Sequence, residues 1–235
     1  LPAGPPAPGR SRATIAFHPG EALPPPREDP ISGGADGKGC HMDPSTNEKP
    51  ALLIIDMVKD NFDEAHRFPI TPLAREIVGP INALIAGFRG QGWPIVFSTD
   101  AYHQQDFIFT GRMKSHALAG TEGAEVIDEL DRRPEDLWLP KPKFSAFFHT
   151  DLDAWLKKRG VTLCAVAGLA TNFCVLATVM DALCHDFKSV LLSDCTATWS
   201  REIHDQTLNT YRRNPLDPLL RVLDSRQLAD ILGMG

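Results

Sequence analysis

The chain has 235 residues, with 24 Lys and Arg against 30 Asp and Glu, a formal charge of -6. That length suffices for one domain with a sizeable core. The absence of any basic run argues against nucleic-acid binding, and no apolar stretch is long enough to cross a membrane. The five cysteines (Cys40, Cys164, Cys174, Cys184, Cys195) are odd in number and form no Cys-x-x-Cys pair. This speaks against a disulfide framework or zinc finger and for a reducing, cytoplasmic setting.

Residues 1–48 hold half of the chain's 20 prolines and many glycines, with no hydrophobic periodicity. They are expected to be disordered or loosely ordered, and Met42, the first methionine, is expected to be the biological start. Residues 49–235 form the predicted folded domain. Ala51–Ile55 reads as a buried strand. A helix is predicted from Pro80 to Gly90, with Ile81, Leu84, Ile85 and Phe88 on one face. Pro94–Ser98 is the second strand, residues 100–123 are polar loop, 124–130 a short helix, and Asp136–Leu139 a short strand. Leu152–Arg159 is helical and stops at Gly160. Val161–Ala167, continuously apolar, is a central strand. A helix follows from Asn172, with Leu176, Val179, Met180 and Leu183 on its apolar face. Ser189–Leu192 is a strand, Glu202–Arg212 a helix, Leu219–Leu223 the last strand, and Ser225–Leu232 a closing helix capped by its serine. This alternation predicts an α/β fold. It is a three-layer α/β/α, Rossmann-like, mostly parallel six-stranded sheet with helices on both faces.

The chemistry-bearing residues fall at element ends. Cys174 lies where an apolar strand passes through a small-residue turn into a helix, and the helix N-terminus favours a thiolate there. That is a nucleophile's setting. Asp56 ends the first strand, where a carboxylate needs either a charge partner or a catalytic task. Lys143 sits in a short Pro-stiffened segment. Each alone has an ordinary alternative: a strand-end cap, a solvated lysine, a core thiol. Together they fit a triad at the C-terminal edge of a parallel sheet. Cys164, Cys184 and Cys195 carry no motif. His149, His185 and His204 read as surface or hydrogen-bonded histidines.

Several segments resemble the isochorismatase-like cysteine hydrolases, which include nicotinamidases and N-carbamoylsarcosine amidohydrolase. They are Leu53-Ile-Ile-Asp56-Met-Val-Lys-Asp60-Asn-Phe62, Gly120-Thr-Glu-Gly123, Lys143-Phe-Ser-Ala-Phe147, Gly168-Leu-Ala-Thr171-Asn-Phe-Cys174-Val175 and Leu191-Leu-Ser-Asp194-Cys-Thr-Ala. The resemblance spans about residues 50–230. It implies an Asp56–Lys143–Cys174 triad that hydrolyses C–N bonds through a thioester. It further implies a cis peptide before Ala170 and an oxyanion hole of the Ala170 and Cys174 backbone N–H groups. The cysteine, absent from isochorismatases proper, points to an amidase. Phe62, Phe147 and Thr171 are candidates to line the substrate pocket, although the two phenylalanines equally fit a core role.

The covalent step implied by the resemblance requires no cofactor. Nicotinamidases of this kind often bind a divalent metal, zinc, manganese or iron, and the corresponding candidates here are Asp100, His103 and His116. Tyr102 stands where the first histidine is expected, and Asp100 and His116 can instead hydrogen-bond within the pocket. The expected partners are a small amide, nicotinamide first and carbamoyl or ureide compounds as alternatives, and further copies of the chain. A catalytically silent binding module is the rival reading.

Overall fold

The computed structural model describes residues 48–234. The segment expected to be disordered, with Cys40 and Met42, lies outside the described residues apart from Glu48. Six strands, β1 (Pro50–Ile55), β2 (Ile95–Asp100), β3 (Leu137–Lys141), β4 (Leu163–Leu169), β5 (Lys188–Ala197) and β6 (Leu220–Leu223), make one sheet. The strand order is β3-β2-β1-β4-β5-β6 and every pairing is parallel. The helices are α1 (Lys59–Phe62), α2 (Thr71–Gly90), α3 (Leu152–Lys158), α4 (Leu176–Cys184), α5 (Arg201–Arg212) and α6 (Ser225–Leu232). Among the described residues no helix is long and apolar enough to cross a membrane.

The predicted α/β sandwich is thus present, with a fully parallel sheet. Side chains alternate across a strand, and β1 shows the consequence. Leu52 and Ile54 enter one core with Ile77, Ile81, Ile85 and Phe88 of α2 and Leu228 of α6. Ala51, Leu53 and Ile55 enter a second core with Leu156 of α3, Val179 of α4 and Leu208 of α5. A strand buried on both faces has no polar side to show, which is why β1 reads as an unbroken apolar run.

Several boundaries differ from the sequence expectation. Helix α2 begins at Thr71 and runs through Pro80, so Pro80 is an interior residue and not a start. An interior proline costs about 3 kcal/mol. Ala74 and Ile77 continue the face of Ile81, Leu84, Ile85 and Phe88, and their burial offsets that cost. Of residues 124–130 only Ala124 is helical, as the end of a single 3-10 turn (Glu122–Ala124); Val126 bridges to Val58, and Ile127 N–H donates to Met57 O at 3.0 Å. The cap of α6 is Asp224, which accepts from Gln227 N–H in a capping box, and not Ser225. Strands β2 and β3 each continue two residues beyond the expected end, to Asp100 and Lys141.

The sheet order reverses direction at β1, which has β2 on one side and β4 on the other. In open α/β sheets the crevice at the carboxyl ends of such strands is the usual ligand site. Asp56 follows β1, Asp100 ends β2, Lys141 ends β3 and Ala170 follows β4. Gly168 makes the convergence of β1 and β4 possible. Its φ is +103°, and a Cβ there would lie 2.0 Å from Ile55 O and 2.7 Å from Ile55 N. Gly168→Ala therefore forces backbone apart in the middle of the sheet. It is expected to destabilise the protein by about 3 kcal/mol or more, read as a fall in Tm of roughly 6–12 °C in a thermal melt.

Candidate active site

Four buried polar side chains meet at this edge. Asp100 and Lys141 are register partners on neighbouring strands. The Lys141 side chain is fully buried, and its Nζ donates to Asp100 Oδ1 and lies 2.9 Å from Asp56 Oδ2. Asp56 adopts a left-handed backbone, φ +51°, which turns its carboxylate across the strand ends. Its Oδ1 accepts the Asp100 backbone N–H at 2.7 Å, and Asn61 Nδ2 donates to its carbonyl at 3.0 Å. Oδ2 accepts no hydrogen bond of good geometry, although it is buried. Its contact with Lys141 is an ion pair, so a lone pair stays open.

The fourth member is Cys174. The Leu169–Ala170 peptide is cis, as the resemblance implied. Residues Thr171–Val175 then form one π-type turn before α4, a departure from α-geometry that recurs at functional sites. The Ala170 carbonyl accepts the N–H of Phe173 at 2.9 Å and of Val175 at 3.3 Å, bracketing Cys174 and leaving its N–H out of the pair. Thr178 Oγ1 donates to Cys174 O at 2.7 Å. Thr171 is fully buried, and its hydroxyl pairs at 2.9 Å with Nδ1 of His204, whose Nε2 lies 3.1 Å from Ser193 O. The turn is thereby anchored to α5 and β5. Cys174 Sγ and carboxylate oxygens of Asp56 and Asp100 all lie within 4.8 Å of one another, and the thiol is within hydrogen-bonding reach of Asp56.

Charge counting explains the electrostatics. Two carboxylates face one ammonium, in a region closed to water. Burial, reinforced by the Asp100 charge and only partly countered by Lys141, pushes Asp56 up to about 7. Burial opposes the Lys141 ammonium, but Asp100, Asp56 and Cys174 outweigh it, and its pKa is raised. Burial also carries the Cys174 thiol well above its ordinary value, against the pull of Lys141 and with the push of Asp56 and Asp100. The thiolate expected from the helix position is therefore not the resting form. Desolvation outweighs the helix terminus, and attack needs a base. Tyr102, 1% exposed, is raised by burial, then by Asp100, Cys174 and Asp56; it stays a neutral phenol whose hydroxyl reaches Asp100.

The predicted residues divide. Asp56, Cys174 and Ala170 meet at the sheet edge, whereas Thr171, expected to line the pocket, is fully buried with its hydroxyl on His204. Lys143 does not: its side chain is 39% exposed and pairs with Asp106 at 3.4 Å. Because β3 runs on to Lys141, that lysine points into the cluster and Lys143 falls in the loop beyond. Phe62 is buried in the α2-side core under Arg75. Phe147 is buried against Phe187 and stacks on His185 at 5.1 Å. Neither is left exposed to meet a substrate. The aromatics exposed beside the nucleophile turn are Phe144, Phe173 and Trp199, with ring centroids 6.0 and 5.6 Å apart along the row. Sequence reasoning missed them; an aromatic immediately before the cysteine was the available signal.

The residues from 50 to 226 match the isochorismatase domain model. The chain belongs to the isochorismatase family. It is 26% identical to the ureidoacrylate amidohydrolase RutB of Pantoea ananatis over 64% of this chain and 70% of that one. It is 30% identical to a probable inactive nicotinamidase of Arabidopsis thaliana over 66% of this chain and 83% of the relative. The crystal structure of the pyrazinamidase of Pyrococcus horikoshii in complex with zinc superposes with a TM-score of 0.65 at 27% identity, covering 75% of this chain and 99% of that one. Named relatives in the family include amidohydrolases acting on C–N bonds, and this chain is a hydrolase of that kind.

The metal candidates Asp100, His103 and His116 are not gathered into one ligand set among the described residues. Asp56, Asp100 and Cys174 are close enough to share an ion, but the Lys141 ammonium already lies among them. Two unit charges about 4 Å apart repel by roughly 4 kcal/mol at the effective dielectric of a protein site, and a divalent ion doubles that. His103 is exposed, and its backbone N–H turns to Asp106 at 3.0 Å. His116 packs edge-on against Tyr102 at 5.7 Å.

Lys141→Ala would leave two carboxylates buried without their cation. It is expected to cost about 3–5 kcal/mol of stability, with loss of activity. Lys143→Ala, at an exposed pair, is expected to cost under about 1 kcal/mol. Urea denaturation of both variants checks the contrast, and equal effects would contradict the placement of Lys141.

Proposed function

We propose that this chain hydrolyses a small amide through a thioester on Cys174. The single observation that carries the reading is the buried convergence of the Cys174 thiol, the open Oδ2 of Asp56 and the Lys141 ammonium. Asp56 Oδ2 takes the thiol proton as Sγ attacks the amide carbonyl. The resulting oxyanion is held by the N–H groups of Ala170 and Cys174; losing one such donor typically costs about 100-fold or more in rate. Collapse of the intermediate breaks the C–N bond, and Asp56 gives its proton to the departing amine. Water then attacks the thioester as Asp56 removes its proton. The acid leaves, and the proton returns to Sγ. Lys141 keeps one compensating charge beside Asp56 and the developing thiolate throughout.

The substrate we favour is a flat aromatic amide, nicotinamide, converted to nicotinate and ammonia. The row of Phe144, Phe173 and Trp199 beside the nucleophile supports this, because aromatic rings offer a planar apolar ligand tilted or stacked contacts. The ureidoacrylate amidohydrolase similarity favours a second reading, a ureide or carbamoyl compound.

Ammonia release from nicotinamide by the purified protein, beside its Cys174→Ala variant, tests the proposal. Release that the variant abolishes is expected. Release that survives the substitution would remove Cys174 from the reaction. Absence of release from nicotinamide with release from a ureide would decide for the second reading.

The pH dependence follows from Asp56. As a base it works only when ionised, so activity is expected to be full above about 7 and to fall about tenfold per pH unit below it. A kcat/KM profile flat down to pH 5 would show that another group accepts the proton.

A further inference from the structure

Asp100 and Tyr102 lie two residues apart, at the end of β2 and just past it, so extended backbone turns their side chains the same way. Tyr102 is fixed there by its backbone: its N–H donates to Ala117 O at 3.0 Å, and its carbonyl accepts Ala119 N–H at 2.8 Å. Its ring stands edge-on to Phe109 at 5.4 Å and to His116 at 5.7 Å, and its hydroxyl reaches Asp100. The ring thus fills the space between Asp100 and His116.

His116 Nδ1 lies 2.9 Å from the Lys114 carbonyl, a contact that makes Nδ1 the donor and leaves Nε2 with a free lone pair. Asp100 supplies a carboxylate, but its Oδ1 is taken by Lys141. A neutral phenol between them offers no imidazole nitrogen.

We infer that Tyr102 closes a divalent-metal position between Asp100 and His116, and that this enzyme works with the Lys141 ammonium as its only cation in the cluster. The inference rests on the geometry of the cluster and not on the identity of the substrate. It carries a corollary: Tyr102→His supplies the missing nitrogen and opens a zinc site with Asp100 and His116.

The test is zinc binding by the untagged protein, in competition with a chromogenic chelator and by the zinc-induced shift in Tm. Neither readout depends on turnover, so failure to hydrolyse nicotinamide would leave this inference standing. The wild-type chain is expected to show neither competition nor a shift. Tyr102→His is expected to bind one zinc per chain, tighter than wild type by roughly tenfold or more, and to lose it when His116→Ala is added. Zinc bound by the wild-type chain and lost in His116→Ala would overturn the inference. So would a folded Tyr102→His variant that binds no zinc. Should that variant fail to fold, the two wild-type readouts decide by themselves.

Discussion

A lysine ammonium held away from water between two carboxylates is the constraint on which the rest of this site depends. An unpaired charge in such a place would neutralise or unfold its surroundings. Lys141 avoids both because Asp100 stands opposite it in the sheet register and Asp56 reaches across from the next strand. Burial, reinforced by the remaining imbalance of two negative groups against one positive, is what raises Asp56 to about 7. A carboxylate of ordinary acidity would be a poor acceptor for a thiol proton. The buried pair thus converts Asp56 into a base matched to neutral pH, and it compensates the raised pKa of the thiol by placing the acceptor beside it.

The sheet supplies this arrangement without long-range adjustment. A parallel sheet whose order reverses at β1 brings four strand ends to one edge. Each contributes one element: a base, an acceptor for the lysine, the lysine, and the turn with the nucleophile. Gly168 permits close approach of β1 and β4, and the contacts of Thr171 and Thr178 hold the turn to α5 and α4. The Ala170 carbonyl spends itself on Phe173 and Val175, so the N–H of the nucleophile is kept out of that pairing.

Much of this was legible in the sequence because the strands are buried on both faces and therefore uninterrupted in apolar character. Asp56 could be read as the polar residue that ends such a run, and Cys174 as a thiol in the helical turn that follows one. Lys141 could not be separated from Lys143 in that way. Pro140 and Pro142 flank the strand end and suggested a loop, whereas the neighbouring β2 also extends and pairs β3 through to Lys141. The start of α2 was missed for a similar reason: Pro80 looked like a first-turn residue, and only tertiary burial of Ala74 and Ile77 shows that the helix passes through it. Burial likewise reversed the expectation for the thiol. Helix position favours a thiolate, but a sequence does not report how completely water is excluded. Phe62 and Phe147 carried no signal that distinguished a pocket wall from core, and the structure places both in the core.

The central claim is that Cys174, deprotonated by Asp56 beside Lys141, forms a covalent bond to the acyl group of its substrate. The most direct measurement is acid quenching of the enzyme during its first turnovers with an amide it hydrolyses, followed by peptide mass mapping. The account predicts the acyl group on the peptide that carries Cys174 and on no other. Product formation in samples where that peptide never carries the acyl group, or an acyl group on the exposed Cys184, would contradict it.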